Sequence, residues 1–219
     1  MKAKAFLFDL DGTLIDTERT WGKAMLDMIV AHGGRATLAE IMPNVIGRNW
    51  LDIHQWLHEA YPALGNSTAM QDAIELRKFY TRRATDPRSM RIQSSIDFFL
   101  SVSSLAPCAI VSGSPRDDVE DAAQLCGIRE RTSLILGAGE YEAGKPSPSG
   151  YLKAAKLLGV NPEDCVVVED STVGVASGVA AGMNVIALDR GNAISQTYDG
   201  AKWRVKSLAD IDIIKEFAT

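Results

Sequence analysis

The feature that most constrains this chain is a short apolar run near its start that breaks into two acidic residues. Ala5 to Phe8 reads AFLF, and the sequence DLDGT follows directly. Four apolar residues are too few for a helix and are typical of a strand buried on both faces of a parallel sheet. Side chains two apart in a strand point the same way, about 6.6–7 Å apart. Asp9 and Asp11 would therefore share the space beyond the carboxyl end of the strand, where open α/β sheets bind ligands.

Two carboxylates that share a small space repel each other unless a cation lies near them. Oxygen ligands of this kind are typical of Mg²⁺, which binds through one or two carboxylates and a substrate phosphate. A carboxylate beside Mg²⁺ can also act as a nucleophile and form an aspartyl phosphate. The alternative is that Asp and Gly simply form a turn at this point.

The second half of the chain alternates predicted strands with predicted helices, which indicates a parallel, right-handed α/β sheet. The predicted strands after the first are 107–111, 134–136, 165–168, 185–188 and 203–205. The helix after the second strand is predicted to start with Ser114 as its cap, and later helices are predicted over 151–158 and 207–218. In the stretch before Pro107, Thr37 and Glu40 predict a capping box at the start of a helix.

The stretch between the first strand and Pro107 shows helical patterns and no strand pattern. It is about a hundred residues long, whereas a crossover needs only about a dozen. We therefore predict a separate α-helical module at 16–87, inserted into a core formed by 1–15 and 88–219.

Three later segments place polar residues where predicted strands end. Ser112-Gly113 precedes a helix, and a hydroxyl with free N–H groups there can hold a phosphate or simply cap the helix. Lys145 lies in the loop Gly144-Lys145-Pro146, where a lone lysine is usually solvated. Glu169-Asp170 follows the apolar run 166–168 and either adds negative charge near Asp9 or caps the next helix.

Together, FDLDGT, Ser112, GKP and the acidic pair ED resemble motifs I to IV of the haloacid dehalogenase (HAD) superfamily. The cap position and the segments GKPSP and VVVEDS resemble the β-phosphoglucomutase-like, sugar-phosphatase branch. The resemblance implies an α/β fold: a Rossmann-like parallel sheet with helices on both faces, plus an inserted α-helical cap domain. It also implies a Mg²⁺-dependent phosphatase that hydrolyses a small phosphorylated metabolite through an aspartyl phosphate. Sugar phosphates are the first candidates for the substrate.

The resemblance also implies roles for individual residues. Asp9 would be the nucleophile, and Asp11 the general acid/base whose backbone carbonyl helps to bind the metal. Lys145 and Ser112 would hold the phosphate. Asp9 and Asp170 would be direct Mg²⁺ ligands, with Glu169 either a ligand or a support for one.

Three residues are candidates for substrate binding. Gly113 would lie beside the phosphate, and Arg48, in the expected specificity loop of the cap, would meet a distal substrate group or else be an ordinary surface residue. Trp21 would line the pocket or pack in the core of the cap.

Two other functions remain as alternatives. The first cap helix has Thr20-Trp21 where β-phosphoglucomutases carry a His, which favours a phosphatase over a phosphomutase. A non-catalytic, phosphate-binding regulatory protein on the same fold is the other alternative. A nicotinamide-binding protein is disfavoured because no GxGxxG follows the first strand.

Composition limits partners and location. The net charge is −5 with no basic block, which argues against nucleic acid. No apolar run is long enough to span a membrane, and no signal-peptide pattern is visible, so we expect a cytoplasmic protein without membrane contact. We also expect a monomer. The three cysteines, Cys108, Cys126 and Cys165, form no CxxC pair and are predicted to be structural.

Overall fold

The computed structural model describes residues 2–45, 50–83, 90–191 and 196–217. The chain folds into two compact units. One unit contains Met1–Ile15 and Arg91–Thr219, and the other is Asp16–Met90.

The first unit is built on a parallel sheet of six strands, counted over the described residues, in the order β3-β2-β1-β4-β5-β6. The strands are β1 (Ala5–Phe8), β2 (Cys108–Val111), β3 (Thr132–Leu136), β4 (Cys165–Glu169), β5 (Asn184–Leu188) and β6 (Trp203–Val205). In the register, Phe8 pairs with Ile110 on one side and with Val168 on the other. Strand order reverses around β1, so the residues that follow β1, β2 and β4 meet at one edge of the sheet.

Helices cover both faces of the sheet, and β1 is buried throughout because its side chains alternate between two cores. Phe6 and Phe8 belong to one core, whereas Ala5 and Leu7 belong to the other. The helices of the first core are α5 (Gln93–Val102), α6 (Arg116–Cys126) and α9 (Ile213–Phe217), and those of the second are α7 (Ser149–Leu158) and α8 (Thr172–Ala180). The prediction of an α/β, Rossmann-like fold is confirmed.

The second unit is helical. Its helices are α1 (Thr17–Ala31), α2 (Leu38–Ile41), α3 (Trp50–Ala60) and α4 (Ala69–Arg83). They enclose an apolar core of their own, which includes Met28, Ile41, Leu57 and Leu76. At the start of α2, Thr37 and Glu40 form the reciprocal capping box that the sequence predicts.

One predicted helix is wrong in part. The sequence predicts a continuous helix over 207–218, but the structure has a 3₁₀ turn at Leu208–Asp210 and a separate α9 at Ile213–Phe217. Ser207 and Asp210 cap each other across the short turn, and Ile211 is extended, which ends the turn before α9 begins.

No helix in the described part of the chain is long and apolar enough to cross a bilayer.

The three thiols are buried and free. Burial raises the pKa of Cys108 to about 12, and it raises that of Cys126 and Cys165 to about 11. The reactive thiolate is therefore scarce at neutral pH.

We expect the native protein to react slowly with a thiol reagent such as DTNB, and all three thiols to react at once in denaturant. Rapid modification of any thiol in the native protein would contradict their assignment as core residues.

Candidate active site

The carboxyl ends of β1, β2 and β4 bring together most of the polar residues that the sequence singles out. Asp9 follows β1, Ser112 follows β2, and Glu169 ends β4 with Asp170 next to it. All four are buried, with 7% or less of each residue exposed. Lys145 reaches them from the loop between β3 and α7.

Lys145 is the electrostatic centre of the site. Its ammonium group bonds to Asp9 Oδ1, lies 2.6 Å from Glu169 Oε1, and donates to the carbonyl oxygen of Val111 at 3.3 Å. Burial by itself lowers the pKa of Lys145, but the charges of Asp9 and Glu169 outweigh burial and raise that pKa well above its ordinary value. Lys145 is therefore a permanent cation between two strand ends.

The charged form of Asp9 is less well stabilised than that of Lys145. Burial raises the pKa of Asp9 to about 7, against the lowering effect of Lys145, and the charges of Glu169 and Asp11 add to the rise. The charges of Glu169 and Asp11 thus act on the pKa of Asp9 in the opposite sense to the single ammonium group. A further positive charge at this place would favour the ionised form of Asp9.

Hydroxyl groups hold the Asp11 carboxylate. Asp11 Oδ2 accepts hydrogen bonds from Ser114 Oγ at 2.9 Å and from Ser112 Oγ at 3.3 Å. Ser112 Oγ also accepts from the backbone N–H of Ser114 at 3.0 Å. The sequence predicts that Ser114 caps the next helix, but the structure places Pro115 at the cap position, with no capping side-chain bond. Ser114 binds Asp11 instead.

Glu169 is surrounded by donors. Its Oε1 accepts from the Tyr151 hydroxyl at 2.9 Å, and its Oε2 accepts from Ser171 Oγ and from the backbone N–H of Asp170, both at 3.1 Å. Gly174 makes room for this carboxylate, because an added Cβ would lie 1.9 Å from it. Ser171 caps α8, so the acidic pair before it is not needed as a helix cap.

Asp170 lies against the turn that follows β1. Its Oδ1 accepts from Thr13 Oγ1 at 3.3 Å, and its backbone carbonyl accepts from the Tyr198 hydroxyl at 3.1 Å. Gly12 has a φ of +87°, and a Cβ on it would lie 2.1 Å from Asp170 Oδ2. Glycine is required there both for the backbone conformation and for this close approach.

The site fits Mg²⁺. Carboxylate oxygens of Asp9, Glu169 and Asp170 lie within 4.8 Å of one another, and all three residues are buried. Three carboxylates beside one ammonium group leave an excess of negative charge. Mg²⁺ prefers oxygen ligands, and the charge and the donor atoms both suit it.

The remaining candidate residues differ in position. Gly113 directly follows Ser112, and a Cβ there would meet no atom within 4 Å. Trp21, in the helical unit, is half-buried and stacks on Tyr80 with ring centroids 3.9 Å apart, which favours the packing alternative. Arg48 lies outside the described residues.

Sequence reasoning missed Tyr151 and Ser114. Tyr151 is the first residue of the helix predicted over 151–158, and an aromatic residue in a helix is normally assigned to the core. Its burial is consistent with that assignment, and only the fold shows that its hydroxyl meets Glu169.

Comparison with known proteins identifies the family. The model of the haloacid dehalogenase-like hydrolases matches residues 3–182. The chain belongs to this family. It is 30% identical to hexitol phosphatase A of Escherichia coli K12 over 202 residues, which cover 86% of this chain and 84% of the relative. It is 26% identical to fructose-1-phosphate phosphatase YqaB of the same organism, with 82% and 93% covered.

A solved structure agrees with the fold. A HAD family hydrolase from Deinococcus radiodurans R1 superposes with a TM-score of 0.76 at 24% identity, covering 97% of this chain and 95% of that one. The family match and the phosphatase relatives confirm the prediction that this HAD protein is a phosphoric monoester hydrolase.

The Tyr151 hydroxyl gives a test of the site. We expect Tyr151→Phe to weaken Mg²⁺ binding about tenfold, because the variant removes a donor that orients Glu169. Isothermal titration with MgCl₂ measures the effect. Tyr61→Phe, which removes a hydroxyl from the helical unit, is the matched control and should bind as the wild type does. Unchanged Mg²⁺ affinity in Tyr151→Phe would exclude this supporting role.

Proposed function

We propose that this chain is a Mg²⁺-dependent phosphatase that hydrolyses a small phosphorylated metabolite, a sugar or sugar-alcohol phosphate, through a phosphorylated Asp9. The observation that carries the proposal is the position of Lys145 between Asp9 and Glu169 at the carboxyl end of the sheet. The names of the two Escherichia coli relatives support the substrate class.

In the first half-reaction, Asp9 attacks phosphorus. A bond forms between a carboxylate oxygen of Asp9 and phosphorus while the bond from phosphorus to the alcohol oxygen breaks. Lys145, whose ammonium group already contacts Asp9, stabilises negative charge on the transferring group. The Ser112 hydroxyl and the backbone beside Gly113 would bind a second phosphate oxygen.

Asp11 moves the proton. It gives a proton to the departing alkoxide, so that a neutral alcohol leaves. In the second half-reaction it takes a proton from water, whose oxygen attacks phosphorus and releases Asp9 and inorganic phosphate. The Ser114 hydroxyl, the nearer of the two donors to Asp11, orients the Asp11 carboxylate for both steps while Ser112 donates to the phosphate.

Asp9, Asp170 and the backbone carbonyl of Asp11 would hold Mg²⁺, with Glu169 either as a further ligand or as the group that orients Lys145. When bound, the ion supplies positive charge that steers and stabilises phosphate oxygens. Its charge would also favour ionised Asp9, the form that can attack.

The helical insertion at 16–87 would act as the cap that selects the substrate and excludes water. Arg48 and Trp21 remain candidates for contacts with the part of the substrate distant from phosphate. The phosphatase is favoured over a phosphomutase because α1 contains no histidine.

The test is Mg²⁺-dependent phosphate release from a panel of sugar, sugar-alcohol and other metabolite phosphates. We expect turnover with a small set of substrates, lost in EDTA, and a fall in kcat of about 10³-fold or more in Asp9→Asn. Asp164→Asn is the matched control, since Asp164 precedes β4 at the opposite end of the sheet and pairs with Lys4. Circular dichroism should show that both variants keep the fold.

Two results would count against the proposal. Full turnover in a clean preparation of Asp9→Asn would remove Asp9 from the nucleophile role. Absence of release across the panel, together with isomerisation of a hexose 1-phosphate primed by a sugar bisphosphate, would replace the phosphatase with the phosphomutase.

A further inference from the structure

A second group of potential metal ligands lies inside the helical unit and takes no part in the proposed phosphatase reaction. His54 and His58 are one turn apart on α3 and therefore face the same way. Asp72 projects toward them from α4. One ligand atom from each of the three residues lies within 4.8 Å of the other two. Asp72 is nearly fully buried, and about a fifth of each histidine side chain is exposed.

One hydrogen-bond contact of His58 cannot be made by a neutral histidine and an ionised aspartate. Its Nδ1 lies 2.9 Å from the carbonyl oxygen of Gly65, and because a carbonyl only accepts, Nδ1 must carry the hydrogen. Its Nε2 lies 2.6 Å from Asp72 Oδ2. In the neutral ring, a nitrogen lone pair would face a carboxylate at that distance. The contact thus requires either a proton shared between the two atoms or a metal ion between them.

The distances between the possible ligand atoms suit a metal ion. Two ligands of a tetrahedral zinc ion, each bound at about 2.0–2.1 Å, are about 3.3 Å apart. His54 Nε2 lies 3.3 Å from Asp72 Oδ2, so these two atoms already have that separation. The same nitrogen lies 3.3 Å from the carbonyl oxygen of Ser67, and a bound zinc ion would have to replace the hydrogen that this contact needs. His58 Nε2 lies 2.6 Å from the same carboxylate oxygen and would need to move away from it by less than about 1 Å to reach that separation.

The surrounding bonds orient the ligands as they do in known metal sites. A metal-bound histidine usually donates its other ring N–H to a backbone carbonyl or carboxylate, as His58 does to Gly65. The Ser67 hydroxyl donates to Asp72 Oδ1, the oxygen that the histidines do not contact. This bond leaves Oδ2 directed at both rings.

We propose that His54, His58 and Asp72 form a transition-metal site of the zinc type, with water as the fourth ligand. Imidazole nitrogen suits Zn²⁺, whereas the carboxylate group near Lys145 offers only oxygen, which suits Mg²⁺. The ion would tie α3 to α4 within the helical unit. This site does not depend on the proposed phosphatase activity, because no residue is shared between the two groups.

The experiment uses the whole chain without an affinity tag, stripped of metal by a chelator and titrated with ZnCl₂ in excess Mg²⁺. We expect one zinc ion bound per chain. His58→Gln and Asp72→Asn should each weaken zinc binding by about 10–100-fold. His32→Gln is the matched control, because His32 is the one other histidine in the chain and pairs with Glu75, which is not one of the proposed ligands. It should bind zinc as the wild type does.

X-ray absorption on the zinc-loaded wild type decides the outcome even where a variant fails to fold. The proposal predicts imidazole nitrogens at about 2.0–2.1 Å from zinc. An oxygen-only shell would place zinc at the carboxylate site and overturn the proposal. Absence of stoichiometric zinc binding would also overturn it and assign the contact between His58 and Asp72 to a shared proton. Equal weakening in His32→Gln would show that the binding is not specific to these ligands.

Discussion

The structure around the sheet depends on how buried negative charge is balanced at the carboxyl ends of β1 and β4. A buried carboxylate is costly unless it is paired and hydrogen-bonded. Here Lys145 bonds to both Asp9 and Glu169, and Tyr151 and Ser171 complete the shell around Glu169. The carboxylates of Asp9, Glu169 and Asp170 outnumber the single ammonium group, so negative charge remains in excess. A site with this excess attracts a cation, and in the proposed function it also provides the nucleophile.

The part of this arrangement that follows from sequence is the part fixed by strand order. An apolar run followed by acids predicts a buried strand with carboxylates beyond its end, and both β1 and β4 follow that pattern. Because parallel strands present their carboxyl ends at one edge, Asp9 and Asp170 come together once the α/β fold is accepted. The family match confirms the resemblance inferred from the motifs.

What sequence could not supply are contacts between residues distant along the chain. Ser114 has the pattern of a helix cap, and only the fold shows that its hydroxyl binds Asp11. Tyr151 has the pattern of a core residue, and its bond to Glu169 depends on how α7 lies on the sheet. The same limit applies to His54, His58 and Asp72, which gain meaning only when α3 and α4 are adjacent.

Trapping the phosphorylated enzyme tests the nucleophile role of Asp9 most directly. Borohydride reduces an aspartyl phosphate to homoserine, so enzyme quenched during turnover should yield a peptide with homoserine at position 9. We expect this product only when substrate and Mg²⁺ are both present. Homoserine at another aspartate, or none despite steady phosphate release, would contradict Asp9 as the nucleophile.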